Sequence, residues 1–136
     1  MDSPGVISLG DFTLTAAGTQ VGISVDGLEG MLAACLQARL AYGSGGTTAR
    51  LYFQTSLNQG TTWVDIACVL FGTASETEIV NLSALTPKSS QVTPTDGALA
   101  DDTVVDGVLG DQLRAKLVTT GVYAGSTVLE VRANVR

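Results

Sequence analysis

The most informative absence in this 136-residue chain is histidine, of which it has none. Histidine is the most common general base, the most common metal ligand and the usual partner of a serine or cysteine nucleophile. The two cysteines, Cys35 and Cys68, cannot form a zinc site alone. We therefore expect a protein that is not an enzyme and that uses no cofactor, and we nominate no catalytic residue.

Charged residues are also scarce, at 15% of the chain, against roughly 25% in average soluble domains. Seven basic and 13 acidic residues give a net charge of −6, and no basic cluster or amphipathic segment is present. Nucleic acids and anionic membranes are bound largely through Lys and Arg, so the sequence disfavours both partners. A surface this poor in charge is covered either by small polar residues or by other protein.

Long apolar segments are absent as well. The longest, Met31–Leu36 and Ile66–Phe71, are far shorter than the roughly 20 residues that span a bilayer. The first five residues lack the basic start and apolar stretch of a signal peptide. We expect a protein made in a cytoplasm without a Sec-type export signal.

Apolar and polar residues alternate along most of the chain, with Gly, Asn, Asp and Ser between the alternating segments. A period of two is the pattern of a strand with one face on a core. Met31–Tyr42 has helix-favouring residues but also alternates, and we predict a strand there. The chain therefore predicts a single all-β domain over residues 1–136. The expected architecture is an antiparallel two-layer β-sandwich, jelly-roll-like or immunoglobulin-like.

The alternation also predicts which side chains face the core. The first long strand is expected to bury Leu32, Ala34, Leu36, Ala38 and Leu40. The next hairpin is expected to bury Leu51, Phe53, Leu57, Val64, Ile66, Cys68 and Leu70.

Residues 86–108 interrupt the pattern and predict a long surface excursion, with one short strand near Gln91–Thr93. Its carboxylates Asp101, Asp102 and Asp106 are candidate Ca²⁺ ligands, because Ca²⁺ takes six to eight oxygens from flexible chain. Their spacing matches no EF-hand, and Asp beside Gly or Asp is common turn chemistry. We expect a loop there rather than a metal site.

The sharpest local motif comprises Ser56, Asn58, Gly60, Thr62 and Trp63. It resembles the Asp-box hairpin of sialidases and other β-proteins, with Asn58 where that family usually has Asp. Asn can accept backbone N–H groups in a tight turn, and Gly adopts positive φ without strain. The chain has one copy and lacks the arginine set of a sialidase, so we predict a structural hairpin.

The two cysteines leave two interpretations open. Alternation places Cys68 inward and Cys35 outward on what we expect to be neighbouring strands, a poor geometry for an intrachain disulfide. Either both are free thiols, or Cys35 meets another chain in an assembly.

Two further motifs extend the pattern. Gly110–Lys116 has the form Gly-Asp-x-Leu-Arg-x-Lys, and Thr119–Thr127 has the form Thr-Thr-Gly-x-Tyr-x-Gly-Ser-Thr. With Gln54–Trp63, they resemble a group of small β-sandwich proteins of tailed bacteriophages, over roughly residues 47–135.

The resemblance implies a structural protein of the virion: a capsid decoration protein, or a head–tail, collar or tail component. It implies assembly with other virion proteins and with itself as a homo-oligomer, without catalysis. The alternative is a carbohydrate-binding module, for which Tyr42, Tyr52 and Tyr123 are the available aromatic platforms.

Overall fold

The computed structural model describes residues 4–136, and all regular elements among them are β-strands. Eleven strands follow one another within residues 4–136. Their bounds are β1 Gly5–Thr13, β2 Gly18–Val21, β3 Ala33–Ala41, β4 Ser44–Gly45, β5 Thr48–Ser56, β6 Val64–Phe71, β7 Glu76–Ser83, β8 Thr103–Val104, β9 Gln112–Thr120, β10 Tyr123–Ala124 and β11 Val128–Val135.

The strands form two main sheets that face each other. The first has the order β1-β11-β3-β7, and the second has the order β2-β9-β5-β6-β8. Apart from the two-residue strands, every connection crosses between the sheets except the β5–β6 hairpin. This wrapping order is that of a jelly roll. The all-β antiparallel sandwich is confirmed, and the strand order favours the jelly-roll form over the immunoglobulin form.

The core lies between the sheets and follows the alternation of the long strands. In β3, for example, Ala34, Leu36, Ala38 and Leu40 are buried while Cys35 and Arg39 are exposed. Met31–Tyr42 therefore contributes a strand, as predicted, because its apolar side chains fall on one face of a sheet. Fully burying each such Leu stabilises the fold by roughly 1.5–3 kcal/mol.

The predicted inward set is wrong in β6. Between Phe53 and Gln54 the register with β6 shifts by one residue. Such a bulge moves side chains to the opposite face. Ile66 is in the core, but Cys68 is paired with Tyr52 on the outer face of the second sheet. The residues that face inward along the rest of β6 are Ala67, Val69 and Phe71.

Two other leucines also differ from the prediction. Leu57 is 65% exposed because it lies in the β5–β6 turn, and Leu32 is 51% exposed because β3 begins after it. Alternation applies only within a paired strand, so it does not extend to these flanking positions.

The excursion at 86–108 runs across the outer face of the second sheet. No strand forms near Gln91–Thr93; the strand in this segment is instead β8, which pairs with β6. The second sheet is thus covered by the chain's own loop, whereas no segment within residues 4–136 covers the outer face of the first sheet. Among the described residues, no helix is long and apolar enough to cross a membrane.

Candidate functional site

A buried carboxylate, Asp65 of β6, holds the excursion to the second sheet. Asp65 is only 1% exposed. Its carboxylate accepts hydrogen bonds from the backbone N–H groups of Gly97, Ala98 and Leu99 at 2.8–3.2 Å. It also accepts one from the Thr95 hydroxyl at 2.8 Å. The oxygens of a carboxyl group this buried need hydrogen-bond partners, so these bonds fix both the Asp65 side chain and the loop.

Gln54 of β5 links Asp65 to a second carboxylate. Its side-chain nitrogen donates to Asp65 at 2.8 Å and to Asp96 at 2.6 Å, and its oxygen accepts from Arg114 Nε at 2.7 Å. The Arg114 guanidinium lies 4.3 Å from the centre of the Trp63 ring, which is a cation–π contact. We call Asp65, Gln54, Asp96, Arg114 and Lys116 the polar clamp.

The clamp favours ionised Asp96. Partial burial acts to raise the pKa of Asp96, but hydrogen bonds from Gln54 and Lys116 and the charge of Arg114 outweigh it and lower the pKa. The Lys116 ammonium donates to Asp96 at 3.0 Å. Burial lowers the pKa of the Arg114 guanidinium. No buried side-chain nitrogen or oxygen in the described part of the chain lacks a hydrogen-bond partner. The clamp is therefore a saturated structural network.

The three candidate Ca²⁺ ligands each accept hydrogen bonds from a different part of the protein. Asp101 accepts from Arg50 Nε at 2.7 Å, and this contact lowers the pKa of Asp101. Asp102 accepts from the backbone N–H of Leu70 at 3.0 Å. Asp106 accepts from a backbone N–H at the end of β7 at 2.7 Å. Across residues 4–136, no three His, Cys, Asp or Glu side chains are grouped to hold a metal ion.

The Asn58 hairpin forms as predicted. The Asn58 side-chain oxygen accepts from the Thr62 N–H at 2.8 Å, and the Ser56 hydroxyl accepts from the Gly60 N–H at 2.7 Å. Gly60 has φ +86°, which explains glycine at this position. These contacts join the ends of β5 and β6.

The aromatic side chains offer few exposed platforms. Tyr52 and Tyr123 are 4% and 1% exposed. Tyr42 is half-buried and packs edge-on against Tyr123, with ring centres 6.2 Å apart. Trp63 is half-buried, and one side of its ring is occupied by Arg114. Stacking on a sugar ring needs an accessible aromatic face, which none of these four side chains presents in full.

The thiols lie in opposite environments. Cys68 is 2% exposed beside β8, and burial raises the pKa of its thiol to about 11. Cys35 is exposed on the first sheet. Both are free. The expectation that they lie on neighbouring strands is wrong, because β3 and β6 belong to different sheets.

The described chain leaves the outer face of the first sheet uncovered. Its outward side chains form rows of four across β1, β11, β3 and β7, and we call them the open face. The rows contain Val6, Asn134, Cys35 and Asn81; then Ser8, Arg132, Gln37 and Ile79; then Asp11, Glu130, Arg39 and Thr77.

The three rows are balanced in charge, whereas the whole chain has a net charge of −6. Their charged residues are Arg39, Arg132, Asp11 and Glu130, two of each sign. Arg136 lies beyond the first row, where its backbone pairs with Ala33. Arg132 contacts Asp11 at 3.0 Å and Glu130 at 4.0 Å. The other eight side chains of the rows are three amides, two hydroxyl groups, one thiol and two apolar side chains. Because the rows have no excess of one sign, a neutral protein surface or a second face of the same kind meets no net repulsion.

The apolar side chains of the open face lie at its two edges. Val6 on β1 is 71% exposed and Ile79 on β7 is 61% exposed. Between them is a shallow depression of about 210 Å³, whose floor includes Cys35, Gln37 and Arg132. The face is thus a shallow trough with apolar edges and a polar floor.

The motifs behind the phage resemblance make structural contacts. The Gly110 N–H donates to the Thr55 hydroxyl at 2.9 Å, and a Cβ on Gly110 would clash with a β5 carbonyl. The Tyr123 hydroxyl donates to the Gly72 carbonyl at 2.8 Å. Comparison of the chain with protein-family models, with curated proteins and with solved structures finds no match.

Proposed function

We propose that this chain is a structural protein of a tailed-phage virion that acts by protein–protein assembly, with no catalysis. Capsid decoration, head–tail, collar and tail positions all fit this role. The observation that carries the proposal is the asymmetry of the sandwich. The chain's own loop crosses one sheet and is held there by the polar clamp, and the described part of the chain leaves the outer face of the other sheet uncovered.

The surface chemistry supports docking on protein. The two central strands of the open face present Cys35, Gln37 and Asn134 together with the charged residues Arg132, Arg39 and Glu130. Charges of both signs on one face can pair with charges of a protein partner and make its docking specific. A particle lattice would engage many copies, so weak contacts would add by multivalency.

The resemblance to small β-sandwich proteins of tailed bacteriophages is the reason why we propose a phage particle as the site of assembly. The jelly-roll order agrees with it by analogy of fold, because viral capsid domains use that architecture. The same architecture also occurs in lectins. The aromatic side chains separate these possibilities, since Tyr52 and Tyr123 are buried and Trp63 is partly covered. They favour assembly over carbohydrate binding.

The test is co-sedimentation of the purified chain with particles of the phage that encodes it, at low and high salt. We expect binding that weakens only modestly with salt, because charged residues make up only 15% of the chain and steering by a strong net field is absent from the contact. Ile79→Lys, at 61% exposure on the open face, should reduce binding. Val122→Lys, at 64% exposure in a loop at one end of the sandwich, is the matched control.

A chain that ignores particles and instead retains a defined oligosaccharide on a glycan array would overturn the proposal. Equal loss of particle binding in the Ile79 and Val122 variants would reject the open face as the docking surface.

A further inference from the structure

We propose that the open face binds the same face of a second copy of this chain, about a two-fold axis that runs parallel to the strands between β3 and β11. This inference rests on the proposed function, because it names the partner of the docking surface. Two-fold contacts are self-complementary, so each residue must meet a suitable residue of the copy. The register of the first sheet decides which residues meet.

The charges of the face match under this axis. The operation places β3 opposite β11 of the second copy and keeps the rows aligned. Arg39 on β3 and Glu130 on β11 occupy one row, so each Arg39 faces the Glu130 of the copy, twice per dimer. Arg132 faces the uncharged Gln37 in the same way. An axis perpendicular to the strands through the second row would instead place Arg132 opposite itself, which like-charge repulsion disfavours.

The apolar edges also match. The axis places β1 opposite β7 of the copy. Val6 and Ile79 lie on these two edge strands in adjacent rows, so they meet diagonally across the interface, again twice. Both are exposed by more than half in the single chain. These apolar contacts lie at the two edges of the interface. The polar residues between them can be bridged by water, as is common in interfaces.

The area fits a weak, assembly-dependent dimer. Four strands of eight or nine residues, about 4.8 Å apart with a rise of about 3.3 Å per residue, give about 550 Å² per copy. The total of about 1,100 Å² is close to the lower limit for specific interfaces. Such a contact forms at the high local concentration of a lattice and dissociates on dilution.

The geometry also predicts what Cys35 does. Faced sheets lie about 10 Å apart and neighbouring strands about 4.8 Å, so the two Cys35 Cα atoms are about 11 Å apart. A disulfide needs Cα atoms within about 7 Å. Cys35 should therefore resist direct oxidation between copies. A short bis-maleimide that reacts with one Cys35 while the copies are apart should bridge to the second Cys35 when the copies associate again.

The decisive experiment is complementation between two charge-reversal variants, Arg39→Glu and Glu130→Arg. Each variant alone places like charges opposite each other twice, and its dimer dissociation constant should rise at least about tenfold. A mixture of the two forms a heterodimer in which both cross-interface pairs are opposite again. Sedimentation velocity of the mixture should recover dimer close to the wild-type level.

The complementation separates contacts between copies from contacts within one chain. Arg39 and Glu130 are also neighbours in a single sheet, and mixing leaves that like-charge pair in place in both variants. If the single variants dimerise like the wild type, or if mixing them restores no dimer, the proposed two-fold arrangement is wrong. Thermal melting of each variant reports folding, and Cys35→Ser is the control for cross-linking.

The two proposals fail separately. A chain that binds particles while remaining monomeric at high concentration refutes the second copy and leaves the assembly function. A chain that dimerises as described but ignores particles refutes the virion role and leaves the dimer.

Discussion

Removing the carboxylate of Asp65 should detach the excursion from the second sheet. Asp65→Ala deletes an acceptor that serves three backbone N–H groups, the Thr95 hydroxyl and the Gln54 amide. Hydrogen bonds to charged groups contribute about 1.5–3 kcal/mol each, but a released loop regains water and entropy. Loss of a buried network of this size costs about 3–5 kcal/mol in measured cases, and we expect that decrease in the free energy of unfolding.

Two readouts follow the change. Urea unfolding can be monitored through Trp63, the single tryptophan, which senses Arg114. Reaction of Cys68 with a thiol reagent reports the loop itself, because Cys68 is buried beside it. Asp65→Asn should also destabilise, since its amide nitrogen would face backbone donors.

Asp26→Ala, at an exposed carboxylate, is the matched control. If the Asp65→Ala variant is as stable as this control and its Cys68 stays unreactive, the polar clamp does not hold the excursion to the second sheet.

Three further predictions concern the turn, the acid response and the excursion. Gly60→Val should lower the free energy of unfolding by about 1–3 kcal/mol, because Gly60 has φ +86°. Gly72→Val is the control and should lower it less, because Gly72 faces open space and has no positive φ. Equal melting temperatures of the two variants would contradict the predicted turn. The pKa values of Asp96, Asp101 and Asp106 are lowered in the folded protein. Their contribution to stability is therefore complete above the ordinary Asp pKa of about 3.9 and is lost as the pH falls through the lowered values. The urea concentration at the unfolding midpoint should decrease when the pH is lowered below about 4, and a midpoint that stays constant over this range would reject the prediction. Calcium at micromolar levels should leave the melting temperature unchanged; a saturable rise that disappears in Asp101→Ala/Asp102→Ala would show a metal site.

The long strands could be predicted from the sequence because one face of each packs on the core. Leu36 and Leu40 of β3 alternate with Cys35 and Arg39, and burial enforces that period. The Asn58 hairpin was predictable because its residue types match the hydrogen bonds that a tight turn needs.

The register of β6 was not predictable because both of its faces are largely apolar. Alternation cannot distinguish the two faces in such a strand, and the bulge after Phe53 reverses them. One signal was present: Asp65 is a charged residue between Val64 and Ile66, and a carboxylate in an apolar strand requires partners. Those partners lie about 30 residues later in the chain, in a loop whose path depends on long-range contacts.

The open face follows from the same long-range contacts. Polar residues alternate with apolar ones on β3 and β11 of the first sheet and also on β9 of the second. The sequence therefore cannot tell which sheet the excursion covers. The structure assigns the excursion to the second sheet through Asp65 and Asp101. That assignment leaves the first sheet available for assembly.

The most direct test of the central claim is the alkylation rate of Cys35 in free and assembled protein. Cys35 lies on the open face and is exposed, whereas Cys68 is buried with a thiol pKa of about 11, so a maleimide should label Cys35 selectively. We expect rapid labelling of the dilute chain and labelling at least about tenfold slower in the assembly, where reaction requires dissociation. A Cys35 rate that is unchanged by assembly would contradict the open face as the surface that this protein uses.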